Sequence, residues 1–287
     1  MSNELPEKAS ESAEVASIAA DIISAQSSRK KRVATKMFLA AIGSIPWVGG
    51  FLSAAAGLKG DEQTVKTDEL QTQWLQAHQT KIEDLGSAFT TIEDRFEQLG
   101  PEIDERIQSE EYLSIVSQAF RTWDEANTAE KRRYAVNLVV NAAGTRICSD
   151  DVIRLFLDWL KLYHEVHFAV IRAIFGNPGI TRYEIWIAIY GTALPREDSA
   201  EADLFKLMFR DLSAGSVLRQ ERDTNALGQY VRRQPQKRRP VASTVLETAF
   251  EDTKPHVLTA LGQQFVHYTM NEAVAKIDAG KTRNGSS

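Results

Sequence analysis

Cysteine is almost missing from this chain. Cys148 stands alone among 287 residues, so no intrachain disulfide and no cysteine-based zinc site can be assembled. That usage gives no sign of an oxidising compartment and points to a cytoplasmic location. Nucleotide-binding fingerprints are also lacking: there is neither a GxxxxGK[ST] loop nor a glycine-rich dinucleotide turn, and Ala54–Gly60 does not form a phosphate loop. A secretory leader is not expected, because residues 1–28 are acidic and Ala/Ser-rich and the first apolar stretch arrives late, behind a basic cluster. No internal repeat is evident. The most informative absence is local. Between Lys36 and Lys59 no residue carries a charge.

The remainder of the composition is that of a folding chain. Hydrophobic residues make up 43% and charged residues 25%, which supports a core and excludes general disorder. The length accommodates two ordinary domains, or one domain with an extended helical arm. Net charge is -5, but it is unevenly spread. Asp61–Glu111 holds 14 acidic and 4 basic residues, whereas Val217–Val241 holds 7 basic and 2 acidic ones. The first stretch repels nucleic acid and anionic lipid; the second attracts either.

The uncharged run Met37–Leu58 reads MFLAAIGSIPWVGGFLSAAAGL. As one straight helix it would reach about 33 Å, the thickness of a hydrocarbon core. Pro46 and the pair Gly49-Gly50 break its centre, so the spacing predicts two short apolar helices joined by a turn. Two readings stay open. A membrane-contacting hairpin would place Phe38, Leu39, Ile42, Ile45, Pro46, Trp47, Val48, Phe51 and Leu52 against lipid, with Arg29, Lys30, Lys31 and Arg32 at anionic headgroups. A hairpin at that depth must be shielded by protein. The other reading buries the same residues in a helical core or between protomers.

Farther along, Ile82, Leu85, Phe89, Ile92, Phe96, Leu99 and Ile103 recur at alternating steps of three and four. This heptad seam needs a partner helix, from the same chain or from a second protomer. Gly100-Pro101 interrupts it and suits the start of a new helix. Thr128 is placed to cap the helix that Glu130 and Lys131 open, and Gly144 to end it. Ser149-Asp150-Asp151 is expected to start one long apolar helix, Val152–Phe175, ended by Gly176-Asn177-Pro178-Gly179.

Beyond it come helices at Thr181–Tyr190 and Ala200–Leu212, a short strand near Ser216–Arg219, and a long basic loop. A second strand, His256–Thr259, and a helix with Leu261, Phe265 and Tyr268 follow. That order predicts a winged helix-turn-helix module. Arg219, Arg222, Arg232, Arg233, Lys237, Arg238 and Arg239 of the loop are suited to an anionic partner, either a nucleic acid backbone or an acidic protein surface. Lys206 and Arg210 of the candidate recognition helix are offset by Glu201, Asp203 and Asp211, a poor balance for phosphate contact. Protein contact is therefore the favoured use.

Enzyme signals are weak. His164-Glu165-Val166-His167 sets two histidines three apart, but zinc needs three or four ligands and the zincin pattern spaces its histidines by four. Rings lining a partly buried helix are the simpler account. No catalytic residue, metal or cofactor is assigned.

The Ile-Pro-x-x-Gly-Gly core at 45–50 precedes the acidic helical arm. Thr128-Ala129-Glu130-Lys131-Arg132, Asn137-Leu138 and Asn141-Ala142-Ala143 follow, then the long apolar helix after Asp150-Asp151. The series closes on Leu258-Thr259-Ala260-Leu261-Gly262-Gln263-Gln264-Phe265. Over roughly residues 37–270 this set resembles the bacterial abortive-infection alpha family of phage-defence proteins. The motifs are structural, so the resemblance carries over no active site, and the long basic loop 219–240 departs from the family pattern. It implies a non-enzymatic defence protein acting at the inner membrane, in which the hairpin meets lipid and the remaining parts sense or bind. A cytosolic winged-helix DNA-binding regulator and an oligomeric scaffold are the alternatives.

The fold expected is mainly α. A flexible, basic-ended N-terminus (1–36) leads into the apolar hairpin (37–60) and an acidic coiled-coil-like arm (61–110). A helical domain (111–178), the winged-helix-like domain (179–277) and a disordered tail (278–287) complete it. The expected partners are a membrane, a second copy or partner protein through the heptad seam, and, less favoured, nucleic acid.

Overall fold

A computed structural model describes residues 29–48, 64–191, 193–222, 227 and 248–271, with side chains from Lys36 in the first stretch and from His78 in the second. The fold is mainly helical with one two-stranded sheet among the described residues. The chain divides into two compact units, one running to Lys161 and the other spanning Leu162–Met270.

The first unit is a helical bundle. Its helices are α1 (Arg29–Ser44), α2 (Thr64–Leu99), α3 (Asp104–Gln108), α4 (Glu110–Glu125), α5 (Ala129–Gly144) and α6 (Asp150–Leu162). Gly100, at φ 76, ends α2, and Pro101 opens the 3-10 turn Pro101–Ile103 that leads to α3. Left-handed backbone there suits glycine. Ser109 caps α4 through the Tyr112 amide, and Thr128 caps α5 through the Lys131 amide.

Long-range contacts fix the helix directions. Ala40 meets Ser117 and Trp47 meets Asp124, so α1 and α4 run parallel. Phe89 meets Phe38 while His78 meets Trp47, so α2 runs against α1. Asp84 pairs with Arg132 and Arg95 with Asn137, which sets α2 parallel to α5. The middle of the heptad seam is thus covered from within the chain. Leu85, Phe89 and Ile92 are buried, and Phe89 lies 4.6 Å from Phe38 and 5.3 Å from Phe120 between ring centres. Ile82, Phe96 and Leu99 are only partly covered.

The expected long helix from Val152 to Phe175 is two helices. α6 stops at Leu162, His164 takes an extended conformation (φ -89, ψ 167), and α7 (Glu165–Gly176) starts afresh. The apolar pattern continues across the break, so periodicity alone could not reveal it. The histidine pair makes it: the His167 amide donates to the His164 carbonyl at 2.9 Å, and His167 Nδ1 accepts from the His164 amide at 3.2 Å. The His167 imidazole thus reaches back to satisfy the amide that precedes the helix. The two rings therefore do not line one helix face, as the sequence suggested.

The second unit continues with α8 (Arg182–Tyr190), α9 (Ala200–Ala214), β1 (Leu218–Gln220), β2 (His256–Leu258) and α10 (Ala260–Thr269). Thr181 and Glu184 form a capping box for α8, Ser199 caps α9 and Thr259 caps α10. β1 and β2 pair antiparallel, Leu218 opposite Leu258, and Ile180 bridges His256 on the other side. The core is aromatic: Trp186, Phe205 and Phe250 lie within 5.5 Å of one another between ring centres, and Phe209 joins Phe205 at 5.0 Å.

Candidate functional site

The uncharged run enters the structure as part of α1, and its burial is one-sided. Met37, Phe38, Ala41 and Ile45 are buried, Ile42, Trp47 and Val48 are half-buried, and Leu39 and Pro46 are exposed. The buried positions recur at three- and four-residue steps, the face that a single helix turns to a core. α1 begins at Arg29, so the basic cluster and the apolar face share one continuous helix instead of meeting at a boundary near residue 37. The chain bends at Ile45 and is helical again at Pro46–Val48, where proline blocks a continuous ladder. Phe51 and Leu52 lie outside the described residues, and with them the second arm of the expected hairpin.

The end of this stretch is held by a polar cage. Trp47 Nε1 donates to Asp124 Oδ1 at 2.8 Å, and Lys81 Nζ donates to the same oxygen at 2.9 Å. His78 stacks on the Trp47 ring at 5.1 Å, and the Lys81 ammonium lies 6.0 Å from its centre. Asp124 is mostly buried, its side chain 13% exposed. One carboxylate oxygen thus ties together α4, α2 and the end of the α1 stretch. Nothing local in the sequence marks Asp124, Lys81 or His78 as Trp47's neighbours, since Asp124 stands 77 residues away.

Energetics frame what this face can do. Exposing Phe38, Ile45 or Met37 to water costs about 1.5–3 kcal/mol for each side chain. Moving them from the core to lipid costs far less, because both surroundings are apolar.

The second unit presents a different surface. α8 has the sequence RYEIWIAIY. Ile185 and Trp186 face the core, yet Tyr183, Ile187 and Tyr190 are exposed. A helix that is apolar all round is ordinarily covered on all sides, and the lack of a polar face was the sequence signal for this patch. On α9, Leu204 and Leu207 are exposed beside Glu201, Asp203 and Arg210. Charges of both signs thus share the exposed side of α9.

Of the basic loop positions, Arg219 and Arg222 are described and exposed. Arg232, Arg233, Lys237, Arg238 and Arg239 lie outside the described residues, as do the side chains of Arg29, Lys30, Lys31 and Arg32. The ends of the loop are well anchored. Glu221 N donates to Pro255 O at 2.8 Å. At the return, the Glu197 carboxylate accepts from the Thr248 hydroxyl and the Ala249 amide. Burial opposes ionisation of Glu197, but those donors and Lys206 hold its carboxyl below the usual range.

Burial shifts three histidines of this unit, His167, His256 and His267, towards the neutral form. Burial and the nearby Arg182 push His256 down to about 4. Burial also lowers His167 and His267, and for His167 this outweighs Asp211, whose carboxylate is 3.8 Å from Nε2. Among the described residues no group of three or more His, Cys, Asp or Glu side chains is placed to hold a metal. No helix there is long and apolar enough to cross a membrane.

No protein-family model matches the chain, and no curated protein or solved structure matches it.

Proposed function

We propose that the chain is a non-enzymatic phage-defence protein of the abortive-infection type, which acts by bringing α1 to a membrane surface. The observation that carries this reading is the union, in a single helix, of the basic cluster Arg29–Arg32 with the apolar face Phe38, Ala41 and Ile45. A basic amphipathic helix lies in the headgroup plane instead of spanning the bilayer. Each Lys or Arg near an anionic leaflet contributes about 1 kcal/mol, so the four cations together approach the cost of uncovering one or two of the core side chains. The sequence resemblance to the abortive-infection alpha family supplies the biological setting.

The second unit is, in this reading, a winged-helix-like interaction module. Its order supports that: helix, helix, strand, basic loop, antiparallel strand, with Ile180 adding an isolated bridge on the other edge of β2. The exposed α8 face and the mixed charge of α9 favour a protein partner over nucleic acid.

Flotation of the intact protein with lipid vesicles tests the proposal. Vesicles containing phosphatidylglycerol should carry the protein up the gradient, and pure phosphatidylcholine should carry less. Replacing Arg29, Lys30, Lys31 and Arg32 with Gln should reduce flotation at least tenfold, since about 4 kcal/mol of attraction is removed. Retention of the wild-type protein in the soluble fraction with both vesicle types sinks the idea.

A further inference from the structure

We propose that Trp47, Asp124 and Lys81 form a latch, and that α1 opens from the bundle as a separate unit when the latch is released. The inference deepens the membrane reading above, but its first step stands without lipid.

The bundle without α1 is cross-linked by its own contacts. Arg132 pairs with Asp84 and lies 5.2 Å from the Trp123 ring centre. Arg95 donates to the buried Asn137 at 2.6 Å. The Tyr112 hydroxyl donates to Val139 O at 2.9 Å, and Arg106 reaches the Ala142 carbonyl at 3.3 Å. These bonds join α2, α3, α4 and α5, and α1 takes part in none of them.

α1 is held differently. Its core face is apolar, and Ser117 Oγ donates to the Ala40 carbonyl at 3.2 Å. At the far end the Trp47 indole is fixed by its bond to Asp124 and by its stack on His78. Local opening follows the boundaries between sets of cooperating contacts, and the boundary proposed here lies along the apolar face by which α1 packs on α4 and Phe89, outside the polar ties of the other helices. Asp124 is its keystone, because one oxygen receives both the indole and the Lys81 ammonium. A change that takes Asp124 or Lys81 out of this arrangement frees the end of the stretch and leaves the Arg132–Asp84 and Arg95–Asn137 ties in place. Release presents Met37, Phe38, Ala41 and Ile45 together with the basic start of the helix.

Hydrogen exchange on the full chain tests the latch. In Asp124→Asn, amides of residues 37–48 should exchange about tenfold faster, the effect of losing a charge-assisted bond. Amides of residues 112–123 and 134–143 should keep their wild-type rates. Trp47→Phe keeps an aromatic ring but removes the indole donor and the fused five-membered ring, so it should shift the same segment by at least roughly fivefold. Unchanged exchange in 37–48 in both variants overturns the proposal. Equal acceleration across 37–48, 112–123 and 134–143 in Trp47→Phe also overturns it, because α1 would then open only with the whole bundle. The same variants on phosphatidylglycerol vesicles separate the two claims. Faster exchange without flotation upholds the latch and removes the lipid reading, and faster exchange with increased flotation supports both.

Discussion

Single residues explain why several sequence motifs exist. Gly262, in the Leu-Thr-x-x-Gly ending, sits where a Cβ would run into the Val217 carbonyl, while its amide donates to the capping Thr259 hydroxyl at 2.9 Å. The motif is therefore a packing device that brings α10 against the turn before β1. Gly262→Ala should destabilise the protein by about 1–3 kcal/mol, because the obstacle is backbone and cannot swing aside. Gly86, inside α2, has nothing within 4 Å of its missing Cβ. There the same substitution should stabilise by about 0.5–1 kcal/mol through helix propensity. Midpoints of urea unfolding for the two alanine variants should move in opposite directions, and parallel shifts would refute this account. His164 and His167 teach a related lesson. Their spacing reads as two rings on one helix face, but the extended backbone at His164 turns the pair into the cap of α7. That distinction depends on one φ/ψ choice, which residue types alone do not dictate.

At the level of elements, legibility followed the range of the interactions. The α2 seam and the cap at Thr128 depend on residues within a few positions of one another, and pattern reading recovers them. The α6–α7 break was hidden because Leu160, Tyr163 and His167 are all buried and keep the apolar rhythm across it. The change of charge after Lys36 marks no helix boundary: α1 begins at Arg29 and runs straight through it. Trp47's cage depends on long-range geometry, for which the sequence has no local mark. α8 poses the sharpest contrast between appearance and burial. Its sequence suggests a fully covered helix, yet only one side is packed. Trp186, in edge contact with Phe205 and Phe250, belongs to the core. Trp186→Ala should cost about 3–5 kcal/mol. Ile187, 38% exposed, should accept lysine within about 0.5 kcal/mol. Thermal unfolding of the two variants checks this. A large loss from Ile187→Lys would mean that the α8 face is covered in the protein in solution.

The two units differ most in how they bind protons, and this predicts an ordered response of the whole molecule to acid. In the second unit His256 is lowered to about 4, and His167 and His267 are lowered as well, burial being the first cause for each. A group whose folded pKa lies below its unfolded value of 6.5 makes the unfolded chain the better proton acceptor. Stability is therefore present above about pH 6.5 and is lost as pH falls towards 4. For His256 alone the loss is at most about 3 kcal/mol, the free-energy equivalent of its shift. In the first unit the group shifted in the acid range is a carboxyl. The Asp150 side chain accepts two bonds from the Arg106 guanidinium, which holds it below the usual carboxylate range despite partial burial. Its contribution persists above the unfolded value of 3.8 and is lost only below it. Between pH 6.5 and 4, amide protection in α7–α10 should fall before protection in α4 and α5. His256→Phe, which replaces the ring with one that cannot charge, should flatten the loss in the second unit and leave the first unchanged. Hydrogen exchange followed by mass spectrometry across that range reads both units in one experiment. Simultaneous loss in α4, α5 and α7–α10, unaffected by His256→Phe, would show that buried histidines do not set the acid limit of this protein.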